Sequence, residues 1–304
     1  MSKKITCRTF LNHTVPGIGM IKHPCFSFLF LLTQLSCINQ SENKNHTIPF
    51  VSISPHVITD TVSWDTDDPA IWINPSDPGR SLIIGTDKNA DGALYVFNLE
   101  GKIVKSVKGL RVPNNVDIAY GFPFRGDTVD IAVVTERLEQ RIRVFSVPDL
   151  APLDDGDLIV FNGDTERAPM GIALYKRPID QTFFIFIGGK SGPAEGYIGQ
   201  YKLEEDLKQD KLKITPLREF GKYSGKKEIE SIAVDTDAGY VYYSDETAGV
   251  RKYHADPDVP DANRELALFA NEGFTRDHEG ISIYELNEQK GYILVSDQQA
   301  NQFK

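Results

Sequence analysis

Cysteine is almost absent from this chain of 304 residues, and its placement excludes several kinds of site. The three cysteines are Cys7, Cys25 and Cys37, so none follows residue 37. The chain beyond that point has no disulfide, no thiolate metal site and no cysteine nucleophile. Its stability has to come from burial of a core, with bound ions as a further source.

The signatures of several other catalytic plans are missing as well. The sequence contains neither a G-x-S-x-G nucleophile elbow nor a G-x-x-x-x-G-K-[ST] phosphate loop. Beyond residue 60 the histidines are His254 and His278, which we predict to be loop or surface residues and not bases. The net charge of −10 argues against binding of nucleic acid through a broad basic face, and it suits a protein that holds hard cations.

Long apolar runs are rare, and the one near the N-terminus is short. Residues 26–32 are apolar apart from Ser27, follow Lys22, and are too few to span a bilayer as a helix. This pattern predicts an export signal over residues 1–37, with translation starting at Met20. We therefore expect an exported protein that is periplasmic, anchored at the cell surface or secreted.

The end of the predicted signal leaves two kinds of processing open. Cys37 follows a serine and precedes a polar stretch, which resembles a bacterial lipoprotein processing site. Lipidation of Cys37 would give the protein its contact with a membrane, and simple cleavage nearby is the alternative. We predict a flexible linker over residues 38–60 and a folded domain over residues 61–304.

What the sequence does contain, from Trp64 onward, is a repeat of about fifty residues, a period typical of propellers and similar arrays. No helical period is sustained anywhere. Each unit has a first strand, a second strand that is a nearly continuous apolar run, and a third strand that alternates apolar and polar residues. The second runs are LIIGTD from Leu82, IAVVTE from Ile131, FIFIGG from Phe184, YVYYSD from Tyr240 and YILVSD from Tyr292.

These repeats predict an all-β fold, a monomeric β-propeller of about five blades in which the last blade is cut short. The fifth unit stops at Lys304, within its third strand. A propeller closes by pairing its first and last blades, and open sheet edges favour aggregation. We therefore expect this chain to be a fragment of a longer protein.

One polar residue directly follows each second run. In chain order these residues are Lys88, Arg137, Lys190, Glu246 and Gln298. Corresponding positions in successive blades lie around one axis, so the three cations are predicted to line one side of a common mouth. A planar guanidinium and two ammonium groups suit a multiply charged oxyanion.

The opposite side of the mouth is predicted to be acidic. Its members come from the fourth and fifth repeats: Glu230, Asp245, Glu246, Asp277, Glu279, Asp297 and Gln298. Asp67, Asp68 and Asn115 continue the polar rim. Crowded carboxylates repel one another unless a cation lies among them, and an all-oxygen set selects Ca²⁺ over zinc. Calcium that only stiffens the loops is the alternative interpretation.

A mouth that is cationic on one side and metal-loaded on the other suits hydrolysis of phosphate esters. Metal ions lower the pKa of a bound water and screen phosphoryl oxygens, while lysine and arginine side chains stabilise developing charge. The candidate catalytic residues are Lys88, Arg137, Lys190 and Glu230.

The sequence resembles the β-propeller phytases, the calcium-dependent alkaline phytase family, from about Trp64 to its end. The resemblance is carried by DDPAIWINPSDP, GTDKNADGALYVFNLEGK, VPNNVDIAYGF, TERLEQRIRVF, GGKSG, IESIAVDTDAG and DHEGISIY. It implies a six-bladed propeller that releases phosphate stepwise from phytate, inositol hexakisphosphate, bound as its calcium salt, with several calcium ions as cofactors.

The resemblance also implies residue roles. The phosphate-holding cations of the family match Lys88, Arg137 and Lys190. The ligands of its calcium cluster, or residues that hold them, match Glu230, Glu246, Asp277, Glu279 and Gln298, and a neighbouring calcium site matches Asp68 and Asn115. The sequence departs from the family at Asn89, where a second lysine is common, at Met170, where a tyrosine is common, and in lacking a C-terminal segment with a further acidic ligand.

Three other functions are kept as alternatives. A noncatalytic module that captures calcium or inositol phosphates would have the same charges. A sugar-lactone hydrolase also uses a central calcium but has no evident need for three cations in phase. A purely structural interaction propeller would not require such segregation of charge.

Overall fold

The computed structural model describes residues 51–287 and 290–304, and every element of regular secondary structure in these residues is a β-strand or a short 3-10 turn. The compact unit that carries all the strands runs from Ser54 to Lys304. Its strands form five antiparallel sheets, arranged as the blades of a β-propeller, as the repeat predicts. Among the described residues no helix is long and apolar enough to cross a membrane.

Blades 1 and 2 are formed by consecutive antiparallel strands. Blade 1 contains β1 (Thr66–Trp72), β2 (Leu82–Asp87), β3 (Gly92–Phe97) and β4 (Ile103–Leu110). Blade 2 contains β5 (Pro113–Phe124), β6 (Asp127–Glu136) and β7 (Arg141–Val147).

The remaining three blades follow the same order. Blade 3 contains β8 (Pro169–Lys176), β9 (Phe183–Gly189), β10 (Glu195–Asp206) and β11 (Lys211–Lys222). Blade 4 contains β12 (Ile232–Asp235), β13 (Tyr240–Asp245), β14 (Gly249–His254) and β15 (Ala267–Phe269). Blade 5 contains β16 (His278–Asn287), β17 (Lys290–Asp297) and β18 (Gln302–Phe303). The 3-10 turns are Pro78–Arg80, Arg137–Glu139, Phe161–Gly163, Thr165–Arg167 and Gln298–Ala300.

The second strand of a blade is apolar on both faces because it packs against two neighbouring blades. In β9, Ile185 and Ile187 belong to a cluster with residues of blade 2, whereas Phe184 and Phe186 belong to a cluster with residues of blade 4. Successive side chains of a strand point to opposite faces, so an unbroken apolar run serves both contacts. Each such buried side chain contributes about 1.5–3 kcal/mol. These clusters fix each blade against the next and thereby the positions of the strand ends.

The predicted export signal, with Met20 and Cys37, lies outside the described residues. The described part of the predicted linker, residues 51–60, forms no helix or strand. It is joined to blade 1 at its end, because the N–H of Asp60 donates to the carbonyl of Gly101 at 2.7 Å and Lys102 Nζ donates to Asp60 Oδ1 at 2.8 Å. The predicted domain limits and the lipid anchor stay predictions.

Candidate active site

Each second strand ends one residue before the polar residue that the sequence singles out. The strand ends are Asp87, Glu136, Gly189, Asp245 and Asp297, so the residues that follow are Lys88, Arg137, Lys190, Glu246 and Gln298. The backbone N–H groups of the three cations donate to carbonyls of the loops that enter the same blades, at 2.7 Å to Asp65, 3.0 Å to Val112 and 2.7 Å to Ala168. This shared bond sets the three side chains at equivalent places in their blades.

The residue before the singled-out position is a buried carboxylate in four of the five blades. We call Asp87, Glu136, Asp245 and Asp297 the clamp carboxylates; each is at most 1% exposed. Asp87 Oδ1 accepts from the N–H groups of Trp64 and Asp65 at 2.9 and 2.8 Å, which ties the entry loop of blade 1 to the end of β2.

The clamp carboxylates of blades 4 and 5 correct one sequence prediction. Asp245 accepts from the N–H and Oγ of Ser224 at 2.9 and 2.6 Å and pairs with Arg251 at 2.8 Å. Asp297 accepts from the N–H of Thr275. The prediction that Asp245 and Asp297 belong to the acidic side of the mouth is therefore wrong, because their oxygens bind the protein itself.

Three glutamates converge where blades 4 and 5 begin and end their inner strands. Glu230 precedes β12, Glu246 follows β13 and Glu279 lies in β16, and one carboxylate oxygen of each lies within 4.8 Å of the other two. We call these three residues the acidic cluster. Glu246 is 1% exposed, and among the described residues Glu246 Oε1 and Glu279 Oε2 are buried without a hydrogen-bond partner.

Burial and mutual repulsion raise the pKa values of the acidic cluster. Burial raises the pKa of Glu246 to about 7, reinforced by Glu230 and Glu279 and opposed by Lys227. Burial and the charge of Glu230 raise the pKa of Glu279 to about 7. Buried carboxylate oxygens that face one another without partners are costly unless a cation lies among them. A set of oxygen donors without cysteine or histidine fits a calcium ion.

Asp277 and Gln298 lie beside the acidic cluster and share one neighbour that the sequence analysis missed. Gln299 Nε2 donates to Asp277 Oδ2 at 2.7 Å and to Gln298 Oε1 at 2.9 Å. Lys227, also missed, places its Nζ 2.8 Å from Glu246 Oε2 and 2.9 Å from Asp277 Oδ2. Lys227 lies outside the repeated strand ends, and Gln299 lies two residues past such an end, where the residue type differs in every blade, so the repeat gives no signal for either.

The three predicted cations each have a partner. Lys88 Nζ lies 2.5 Å from Asp67 Oδ1. Arg137 Nη1 donates to Asn114 Oδ1 at 3.0 Å, and Lys190 Nζ lies 3.1 Å from Glu228 Oε1.

The cations lie near enough to act on the carboxylates opposite them. Burial and the charge of Asp67 raise the pKa of Glu230, and the charges of Lys88 and Lys190 both oppose that rise. Burial also raises the pKa of Asp67, against the charges of Lys88 and Arg137. Lys88 and Lys190 therefore act on Glu230 of the acidic cluster, and Arg137 acts on Asp67.

Asp68 and Asn115 occupy the contact between blades 1 and 2. Asp68 Oδ2 accepts from the N–H of Val116 at 2.9 Å, and burial raises the pKa of Asp68 to about 7. Asn115 Oδ1 accepts from Asn114 Nδ2 at 2.8 Å. The bond from Val116 to Asp68 joins the two blades, and the calcium site predicted for Asp68 and Asn115 stays a prediction.

Met170 and His278 both lie in the interior. Met170 is fully buried, so its side chain does not replace a hydroxyl at the surface of the mouth. His278 is 3% exposed, lies 2.6 Å from the carbonyl of Ala270 through Nε2 and stacks on Phe274. The prediction that His278 is a loop or surface residue is wrong.

Comparison with known proteins covers the whole propeller. A family model described as Phytase matches residues 25–304. A 3-phytase of Bacillus subtilis strain 168 is 28% identical over 295 residues, which cover 93% of this chain and 72% of that protein. The three cations and the acidic cluster all lie within the matched region.

Proposed function

The chain belongs to the phytase family, and we propose that it releases inorganic phosphate from phytate in a calcium-dependent reaction of the 3-phytase type. The observation that supports this function best is the pairing of an under-partnered acidic cluster with Lys88 and Lys190, whose charges act on Glu230. Neither half is sufficient alone, because cations without the cluster would only bind phosphate.

The acidic side of the mouth supplies oxygen ligands for the cofactor. We assign calcium ligation, for more than one ion, to Glu230, Glu246, Asp277, Glu279 and Gln298, and a neighbouring ion to Asp68 with Asn115. When bound, calcium would lower the pKa of a water it coordinates and screen the phosphoryl oxygens of the substrate.

Lys88, Arg137 and Lys190 bind the phosphoryl oxygens in this proposal. Each already holds an oxygen acceptor within 3.1 Å, namely Asp67, Asn114 or Glu228. A phosphate group carries more charge than these acceptors and competes for the same donors. Arginine offers two parallel donors and fixes orientation, while the lysines act as point charges that stabilise charge developing on the transferred group.

A chelator assay tests the metal dependence. Phosphate release from calcium phytate is expected to stop in excess chelator and to return when calcium is restored. Activity that persists undiminished in chelator would contradict the role of calcium. Tight phytate binding in calorimetry without any phosphate release would favour the noncatalytic module instead.

A pair of lysine variants tests the role of the three cations in binding phosphate. Lys88→Met should lower kcat/KM for phytate by about 100-fold, the loss typical when one charge-stabilising donor is removed. Lys102→Met is the matched control, because Lys102 is exposed and pairs with Asp60 at 2.8 Å, outside the mouth. Equal activity of the two variants would exclude Lys88 from the cations that bind the phosphoryl oxygens.

We also propose that the protein is exported as a monomer, with Cys37 either lipidated or removed by cleavage. The basis is the short apolar run behind a basic residue near the N-terminus. Mass spectrometry of the mature N-terminus would distinguish the two forms, and an unprocessed N-terminus would contradict both.

A further inference from the structure

Lys227 is a cation within the acidic side of the mouth, and the proposed reaction gives it no role. Its Nζ lies 2.8 Å from Glu246 Oε2 and 2.9 Å from Asp277 Oδ2, so one ammonium group joins the end of β13 to the entry of blade 5. Both contacts are at direct ion-pair distance. The two carboxylates belong to the set assigned to calcium.

This placement differs from that of the other lysines nearby. Lys88 and Lys190 pair with Asp67 and Glu228, which are outside that set. Lys226, the preceding residue, is exposed and its Nζ donates to the backbone carbonyl of Thr247 at 3.2 Å. The position of Lys227 is therefore not a general consequence of a basic loop.

The ammonium neutralises the carboxylates only in part. Glu246 is 1% exposed and its Oε1 has no hydrogen-bond partner, and Glu279 Oε2 is buried in the same condition. Lys227 forms ion pairs with Glu246 and Asp277, and no ion pair joins a described cation to Glu230 or Glu279. The oxygens that Lys227 does not satisfy mark the space that a second cation would enter.

We infer that Lys227 is a tethered counter-cation that competes with divalent cations for Glu246 and Asp277. The inference rests on the proposed function in that the acidic cluster has to bind calcium. An ammonium and a calcium ion both approach carboxylate oxygens directly and repel each other, so occupancy by one weakens the other. The Lys227 side chain is 38% exposed and has a route to solvent when it is displaced. Lys227 thus sets the calcium concentration at which the site fills.

Calcium binding to the metal-stripped full chain tests this competition directly. Calorimetric titration with calcium chloride, at one pH and one ionic strength, compares the wild type with Lys227→Met, Lys227→Arg and Lys226→Met. Lys227→Met should lower the Kd for calcium by about tenfold or more, because it removes a like charge beside the ion. Lys227→Arg keeps the charge and should stay within about threefold of the wild type, and Lys226→Met should not change the Kd.

Thermal unfolding supplies a second readout that a purely structural role would not produce. In chelator, Lys227→Met should unfold at a lower temperature than the wild type, because Glu246 and Asp277 lose the one described side chain that forms an ion pair with them. Added calcium should raise its melting temperature by more than it raises that of the wild type. Lys227→Gln, a second neutral variant that keeps a hydrogen-bond donor, is measured in parallel in case Lys227→Met does not fold.

The outcomes separate the two proposals. Calcium binding of equal affinity in the wild type and the neutral variants would overturn the inference and leave the proposed function intact. A lower melting temperature in both conditions, with unchanged calcium affinity, would also overturn it. Absence of calcium binding in every variant would overturn both the inference and the calcium dependence of the proposed reaction.

Discussion

The clamp carboxylates and the acidic cluster contain the same chemical group, yet they differ in what they contact. Asp245 and Glu246 are neighbours in sequence and are 0% and 1% exposed. Asp245 accepts three hydrogen bonds, from Ser224 and Arg251, whereas Glu246 has one ammonium contact and an oxygen with no hydrogen-bond partner. Asp245 therefore stabilises the fold, whereas Glu246 keeps an unpaired carboxylate oxygen that can bind a ligand.

This difference shows how a repeat can serve stability and function at adjacent positions. The side chain at the end of a second strand turns toward the entry loop and closes the blade. The next side chain emerges from the strand end and is free to vary from lysine to arginine to glutamate without disturbing the clamp. Buried carboxylates without partners are costly, so their persistence indicates a function that requires them.

The strongest test of the comparison is charge removal at the clamp. Asp245→Asn should lower the free energy of unfolding by about 3 kcal/mol, because it removes the charged acceptor of Ser224 and leaves the buried Arg251 with Glu265 as its one remaining carboxylate partner. For a domain of this size that loss corresponds to roughly 6–12 °C in melting temperature. Thermal unfolding in chelator measures it.

Glu246→Gln is the matched change at the next residue. It removes a carboxylate of equal burial whose one ion-pair partner, Lys227, is partly exposed and keeps its contact with Asp277. The free energy of unfolding in chelator should therefore stay within about 1 kcal/mol of that of the wild type. Equal destabilisation by the two variants would break the distinction between clamp and cluster.

The second test, Glu230→Gln, removes a cluster carboxylate that no hydrogen bond or ion pair joins to another described side chain. Phosphate release from phytate should fall about 100-fold or more, as when one group that stabilises transition-state charge is lost, while the melting temperature in chelator is preserved. Turnover equal to that of the wild type would remove Glu230 from the site.

How far the sequence predicts this molecule follows from what a repeat encodes. The apolar run of β9 and the residue that follows it, Lys190, recur in phase with those of other blades, so both the strand and its polar end are readable. The repeat also predicts that Lys88 and Glu230 lie toward one axis, and the charge of Lys88 opposes the rise that burial causes in the pKa of Glu230.

The contacts that the sequence does not predict are those made off the repeat. Lys227 reaches Asp277 from the entry loop of blade 4 and Gln299 reaches it from the turn after β17, and only the folded chain shows which carboxylate they meet. Asp245 was misassigned because the sequence does not distinguish a strand-end aspartate that bonds to its own entry loop from one that faces the mouth. His278 was misassigned because its burial depends on Phe274, in a loop outside the strand pattern.

A third test concerns Asp68, which has features of both classes. Its Oδ2 accepts from the N–H of Val116 like a clamp, yet its pKa is raised by burial to about 7 like that of the cluster. Asp68→Asn keeps an acceptor for Val116, so we expect a loss of about 1 kcal/mol in unfolding free energy. If Asp68 is a calcium ligand, calorimetry should show one fewer ion bound; an unchanged number of ions would make it an inter-blade bond alone.

The smallest expected effect is the pH dependence of the metal-free protein. Burial raises the pKa values of Glu246 and Glu279 to about 7 in the folded state, whereas a glutamate in the unfolded chain has a pKa of about 4.5. The folded chain therefore binds more protons than the unfolded chain between these two pH values. Their contribution to stability is therefore present in full at low pH and is lost as the pH rises through about 7. In chelator, the melting temperature should fall between about pH 4.5 and pH 7 and level off above that, and Glu279→Gln should flatten that slope. In saturating calcium the slope should reverse, because the ion binds deprotonated carboxylates. The same slope in both conditions would mean that the acidic cluster does not bind the ion.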